Sequence, residues 1–249
     1  MASANGELAA IDAMIARMTE ALARARATGQ RREVFLFAYK FLSERLRENL
    51  QAHRFVDVPW TIALATRFAA LYFDAETAYD RGEPCSEPWR RFFAACDQRF
   101  VSYPELLLLG MNAHIVYDLA LALAPGLRPS DPADLALRQF DHELVNELLD
   151  EAIDPFQDEF ARHFGAWIAV VDRLAGRLDE WLVDRALREV RGQVWKHAVA
   201  LASAPDAASR ETIRRHLERL AVRNARRIDV ANHLPTPLAR LARLVRQPL

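Results

Sequence analysis

The stretch Leu106–Pro125, LLLLGMNAHIVYDLALALAP, decides the fold. It is apolar on nearly every helical face, so it predicts a helix surrounded by other helices rather than one lying on a surface. It is also about long enough to cross a bilayer, but His114 and Asp118 near its middle would be costly in lipid and no Lys/Arg cluster flanks it. An unpaired polar group in a protein core costs roughly 2–7 kcal/mol, and an unpaired charge far more. Asn112, His114 and Asp118 therefore need partners. His114 and Asp118 stand four residues apart, on one helical face and within hydrogen-bond reach, with Tyr117 at its edge. Asn112 points elsewhere and requires a partner of its own.

Outward from this stretch, the rest of the 249 residues reads as helix too. Half the chain is hydrophobic, a quarter is charged, and only eight residues are glycine. Long Ala/Leu/Arg/Glu-rich segments dominate and β-branched alternation is nearly absent, which favours an all-α protein. Periodicity and breakers predict helices over about 6–28, 32–51, from Pro59 onward, 89–100, 104–124, 133–150, 155–173, 176–203, 210–229 and 238–246. Ser209 is the expected cap of the segment from 210. The expected architecture is a single multi-helix domain, nine or ten helices around one buried central helix. Residues 1–205 form that domain, and 206–249 are a basic helical C-terminal appendage packed on it.

The net charge of −1 hides an asymmetry: from Asp206 to Leu249 there are ten arginines against four acids. Arg215, Arg219, Arg223, Arg226 and Arg227 fall largely on one side of their helix. We read them as the solvated face of an amphipathic helix, which leaves nucleic acid outside the expected partners. Two cysteines, Cys85 and Cys96, make no disulfide framework, and the N-terminus lacks the long apolar core of a signal peptide. The expectation is a cytoplasmic protein without a transmembrane segment.

Other helices offer polar groups on inward stripes. In LREVRGQVWKHAVAL, Arg191 shares the stripe of Leu187, Val194, Ala198 and Leu201, with Trp195 one turn on. A guanidinium facing inward wants a carboxylate, and Asp118 is the expected one. In FDHELVNELLDEAID, His142 and Asn146 share a face with Leu149 and Ile153.

Several stretches also resemble a known family. FAALYFDA (68–75), PWRRFF (88–93), LLLGMNAHIVYDLALAL (107–123), FDHELVN (140–146) and RGQVWKHA (191–198) are similar to the successive motifs of a bacterial family catalogued as domain of unknown function 5995. Its central motif reads approximately Leu-Leu-Gly-Met-Asn-Ala-His-Ile-Asn-x-Asp-Leu. This chain matches it at Asn112, Ala113, His114, Ile115, Asp118 and Leu119, with Val116 where the family usually has Asn. The late motif is roughly Arg-Glu-x-Ala-Trp; Arg191 and Trp195 match, and Gly192 replaces the acid. The resemblance covers about residues 35–200. It implies a helical domain with a shared polar centre and lends no activity.

The function these residues suggest first is a small-molecule enzyme using acid–base chemistry, without a cofactor that the sequence identifies. His114 would be the acid/base and Asp118 would orient it. Arg191 would hold an anionic substrate group, while Asn112, Tyr117, His142, Asn146 and Trp195 line the site. Isomerase, cyclase and hydrolase stand equal. The alternatives are a non-catalytic ligand-binding or regulatory protein and, third, a metalloenzyme using the His114/Asp118 spacing. Phosphate loops, a Rossmann fingerprint and a Gly-x-Ser-x-Gly elbow are absent from the sequence.

Overall fold

The computed structural model describes residues 8–165 and 177–231. The expected helix over 238–246, and the end of the one expected over 155–173, lie outside the described residues. Nine α-helical stretches run in order: α1 (Ala9–Ala27), α2 (Glu33–Gln51), α3 (Val58–Asp80), α4 (Glu87–Cys96), α5 (Tyr103–Met111), α6 (Leu119–Leu123), α7 (Pro132–Phe164), α8 (Arg177–Ser203) and α9 (Ala207–Ala231). A π-helical segment, Asn112–Asp118, joins α5 to α6, and a 3₁₀ turn, Ala124–Gly126, follows. Residues 103–126 are thus one continuous rod, which makes eight helices in all among the described residues, and no strand.

Local chemistry sets most boundaries. Asp57 accepts the Trp60 N–H at 3.0 Å to start α3, with Pro59 in the first turn. Ser102 and Glu105 form a reciprocal capping box at the start of α5, just before Pro104 takes up helical geometry. Asp131 caps α7, and Gly165, at φ +107°, ends it in a conformation that side chains rarely adopt. Asp206, rather than Ser209, caps α9: its carboxylate accepts the Ser209 N–H at 2.7 Å, and the helix begins three residues earlier than expected.

One expected break does not occur. Pro155 predicts two helices, yet α7 runs through it for 33 residues. Pro155 lies on the exposed side, where the carbonyl of Glu151 that loses its donor can face water. Leu144, Leu148, Ala152 and Phe160 continue the buried stripe on both sides of the proline and hold the two halves in line.

The central rod packs against α2, α3, α4, α8 and α9, while α1 covers α2 and α3, and α7 lies along α2 and α8. Most of its surface is covered: 72% of its most apolar window is buried, as suits a core helix. Helix α9 enters the same core through Leu217, Ala221 and Ala225. Its Arg215, Arg219, Arg223, Arg226 and Arg227 face outward.

Candidate functional site

His114 and Asp118 do pair. His114 Nδ1 lies 3.1 Å from Asp118 Oδ2, and the same oxygen accepts the indole N–H of Trp89 at 2.8 Å. The backbone between them is wider than an α-helix: the Leu119 N–H reaches back five residues to the His114 carbonyl. Such π-turns are rare and concentrate at functional sites. The imidazole stacks on Phe68, with ring centres 3.4 Å apart, and meets Tyr39 edge-on at 4.4 Å and Phe35 at 5.5 Å. Phe35 can lie this close to the rod because residue 110 is glycine; a Cβ there would sit 2.6 Å from the Phe35 ring.

His114 and Asp118 are 3% and 2% exposed. Burial pushes the Asp118 carboxyl well above the usual carboxylate range, against the pull of the Trp89 N–H, and pushes the His114 imidazole well below its usual value. The low dielectric favours the uncharged form of both. Burial also raises the Tyr39 phenol, as does the nearby Asp118. His114 Nε2 is buried and has no hydrogen-bond partner among the described residues. The pair is enclosed by rings, and its chemistry is that of a neutral polar knot at the centre of the core.

Two expected neighbours have other tasks. Asn112 donates to the Ala221 carbonyl of α9 at 2.8 Å, and the Tyr117 hydroxyl accepts from Arg214 at 2.8 Å. Both fasten α9 to the rod.

Arg191 is buried, but its partner is not Asp118. Its Nε donates to Asn146 Oδ1 at 2.7 Å and its Nη2 to the His142 carbonyl at 2.7 Å. Arg191 reaches α7 instead, and Asp118 is already served by Trp89 and His114. No carboxylate pairs with Arg191 among the described residues. Its charge is held by neutral acceptors, and burial lowers its pKa to about 10.

The polar residues therefore divide into two groups. The second, His142, Asn146, Arg191 and Trp195, stands at an open cavity of about 430 Å³ between α7 and α8. Its lining includes Phe140, His142, Asn146, Gly192, Trp195 and Lys196. A cavity of this size falls in the usual range for small-molecule sites. His142 stacks on Trp195, with ring centres 5.1 Å apart. Its Nε2 faces the Arg191 carbonyl at 3.3 Å, so the proton resides there, and Nδ1 is left to face Arg191 Nη2 at 3.4 Å. Burial, then the adjacent guanidinium, lowers the His142 pKa to about 3, so the ring is neutral and occupied. Because Arg191 can only donate, Asn146 must turn its oxygen to Arg191 and keep its amide NH₂ free. Asn146 Nδ2 has no partner among the described residues, and the residue lines the cavity. Gly192 leaves open space in the wall: a Cβ there would meet nothing within 4 Å.

Among the described residues no three His, Cys, Asp or Glu side chains are grouped to hold a metal ion. Asp141, beside His142, is spent on structure; its carboxylate accepts the N–H groups of Val56 and Asp57.

A family model described as a family of unknown function, DUF5995, matches residues 11–230. The chain belongs to the DUF5995 family. No curated protein and no solved structure matches it. In this DUF5995 protein the match covers both the rod with its His–Asp pair and the α7–α8 cavity.

Trp89 is the main participant that the sequence pattern does not reveal. A buried indole N–H needs an acceptor, so a Trp on a short apolar helix beside a buried Asp was the available signal. Phe35 and Tyr39 carried none beyond their hydrophobicity.

Proposed function

We propose that this protein binds a small organic molecule in the cavity between α7 and α8, as a non-catalytic ligand-binding or regulatory protein. One observation carries the reading: a buried guanidinium without a carboxylate takes the oxygen of Asn146, a residue of the cavity wall, and leaves its NH₂ without a partner among the described residues. A core built only for stability has little use for a charge held this way. Cys85 and Cys96 are free thiols, and a reducing, cytoplasmic setting suits them.

Gly192→Trp tests the proposal. The new ring would fill the cavity from a wall with free space, leaving the fold intact. A thermal-shift screen of small acids, amines and neutral molecules should find compounds that stabilise the wild type and not Gly192→Trp. A ligand at one hundred times its Kd adds about 2.7 kcal/mol, or roughly 5–10 °C for a chain of this size. Absence of any such compound, or equal shifts in both proteins, contradicts the proposal.

A second reading keeps His114 as an acid/base for an isomerase, cyclase or hydrolase, oriented by Asp118. The π-turn and the unpartnered Nε2 favour it. The half-buried Tyr39 and Phe68 would then have to swing aside to admit a substrate. Against this, every face of the ring is covered, and the cavity lies at the other group of polar residues.

A further inference from the structure

The charged side chains in the wall of the α7–α8 cavity, Glu143, Glu147, Arg188 and Lys196, sum to zero, so the charge that stands out is the buried Arg191 behind it. Of the acids in its wall, Glu143 accepts from Gln139 at 2.7 Å, and Glu147 faces Arg54 at 3.6 Å. Arg188 pairs with Asp150. Lys196, at the rim, has no carboxylate partner among the described residues. Behind the floor stands Arg191, 5% exposed and likewise without a carboxylate. Its Nε–H polarises the Asn146 amide from the oxygen side, which sharpens the NH₂ as a donor. Toward the ligand stand one amide donor at Asn146, the ammonium of Lys196 and the exposed carboxylates of Glu143 and Glu147, with one buried positive charge, Arg191, behind Asn146. Among these polar groups, Phe140, Leu144 and Trp195 offer an apolar slot for a hydrocarbon or an aromatic ring.

Resting on the proposed small-molecule role of this cavity, we infer that its ligand is a monocarboxylate with an apolar body. The carboxylate accepts from Asn146 Nδ2 and Lys196 Nζ, and the body lies against Trp195, Leu144 and Phe140. Arg191 is a positioning residue: it does not line the cavity and acts through Asn146.

Three near-isosteric probes test the charge preference on the full chain by isothermal titration calorimetry: phenylacetate, phenylacetamide and phenethylamine. Phenylacetate should bind about tenfold more tightly than the amide, because its hydrogen bonds are charge-assisted, and phenethylamine should bind least. Lys196→Gln, at an exposed position, should weaken phenylacetate and leave phenylacetamide unchanged. Asn146→Asp is isosteric and gives Arg191 a carboxylate, so the fold is kept. It presents an acceptor where the wild type presents a donor, and it should reverse the order in favour of phenethylamine. If all three probes bind alike and all are lost in Gly192→Trp, the carboxylate preference is overturned and the cavity reading stands. If binding survives Gly192→Trp, or no probe binds, both fall.

Discussion

Replacing His114 by alanine separates a structural pair from a catalytic one. The side chain is 4% exposed, so nearly all its volume is removed from the core. Asp118 keeps the Trp89 N–H and loses its other partner. Leaving a buried polar atom short of a partner costs about 1–3 kcal/mol. The void, walled by Phe68, Tyr39, Phe35 and Trp89, is comparable to those left by Leu or Met truncations, at about 2–5 kcal/mol. Allowing for partial collapse of the rings, the sum is roughly 3–6 kcal/mol. This is a large share of the 5–15 kcal/mol that holds a typical domain together, and it lowers Tm by roughly 10–20 °C for a chain of this size. Urea unfolding followed by far-ultraviolet circular dichroism measures it. A midpoint within 1 kcal/mol of wild type would refute the structural assignment, most plainly if turnover of some substrate vanished with it.

Asp118→Asn alone should leave the fold as stable as wild type at acidic pH and more stable as pH rises. A carboxyl whose folded pKa is raised contributes stability that is present below its unfolded value, near 3.8, and lost as pH climbs through the folded value. The gap between variant and wild type should therefore widen by up to about 1.4 kcal/mol per pH unit above pH 4, read from urea midpoints between pH 5 and 9. His142 works in the opposite sense. Its folded pKa is lowered to about 3, so its contribution is intact above pH 6.5 and is lost as pH falls toward 3. About 3 kcal/mol should disappear between pH 6.5 and 4.5, and His142→Gln should flatten part of that slope, leaving the share due to His114. Gly110→Ala should cost about 1–3 kcal/mol by pressing on the Phe35 ring; a neutral effect on Tm would show that the aromatic enclosure is looser than its geometry states.

Much of this fold can be read from the chain, and the limits are instructive. Leu106–Pro125 announces a buried rod because no face of it suits water, and caps such as Ser102 with Glu105 mark its start. Pro155 misleads because helix-breaking is a local rule, whereas a stripe of Leu144, Leu148, Ala152 and Phe160 is a tertiary one and prevails. The π-turn is invisible to any argument that assumes a fixed helical period. His114 and Asp118 still meet, because a hydrogen bond between them satisfies two buried groups at once. Arg191 shows the boundary most clearly. Its place on an apolar stripe reveals that it is buried, but a stripe names a face and not the helix opposite it. The expected partner, Asp118, lies on the rod, and the actual one, Asn146, on α7. The cavity depends on how α7 and α8 sit against each other and on an absent side chain at Gly192, neither of which leaves a periodic trace.

The most direct measurement is a crystal structure of the protein soaked with phenylacetate. The account requires ligand density between α7 and α8, with the carboxylate within hydrogen-bond distance of Asn146 Nδ2 and the ring against Trp195. Density elsewhere on the molecule, or a cavity filled by the protein's own side chains in the presence of ligand, would contradict it.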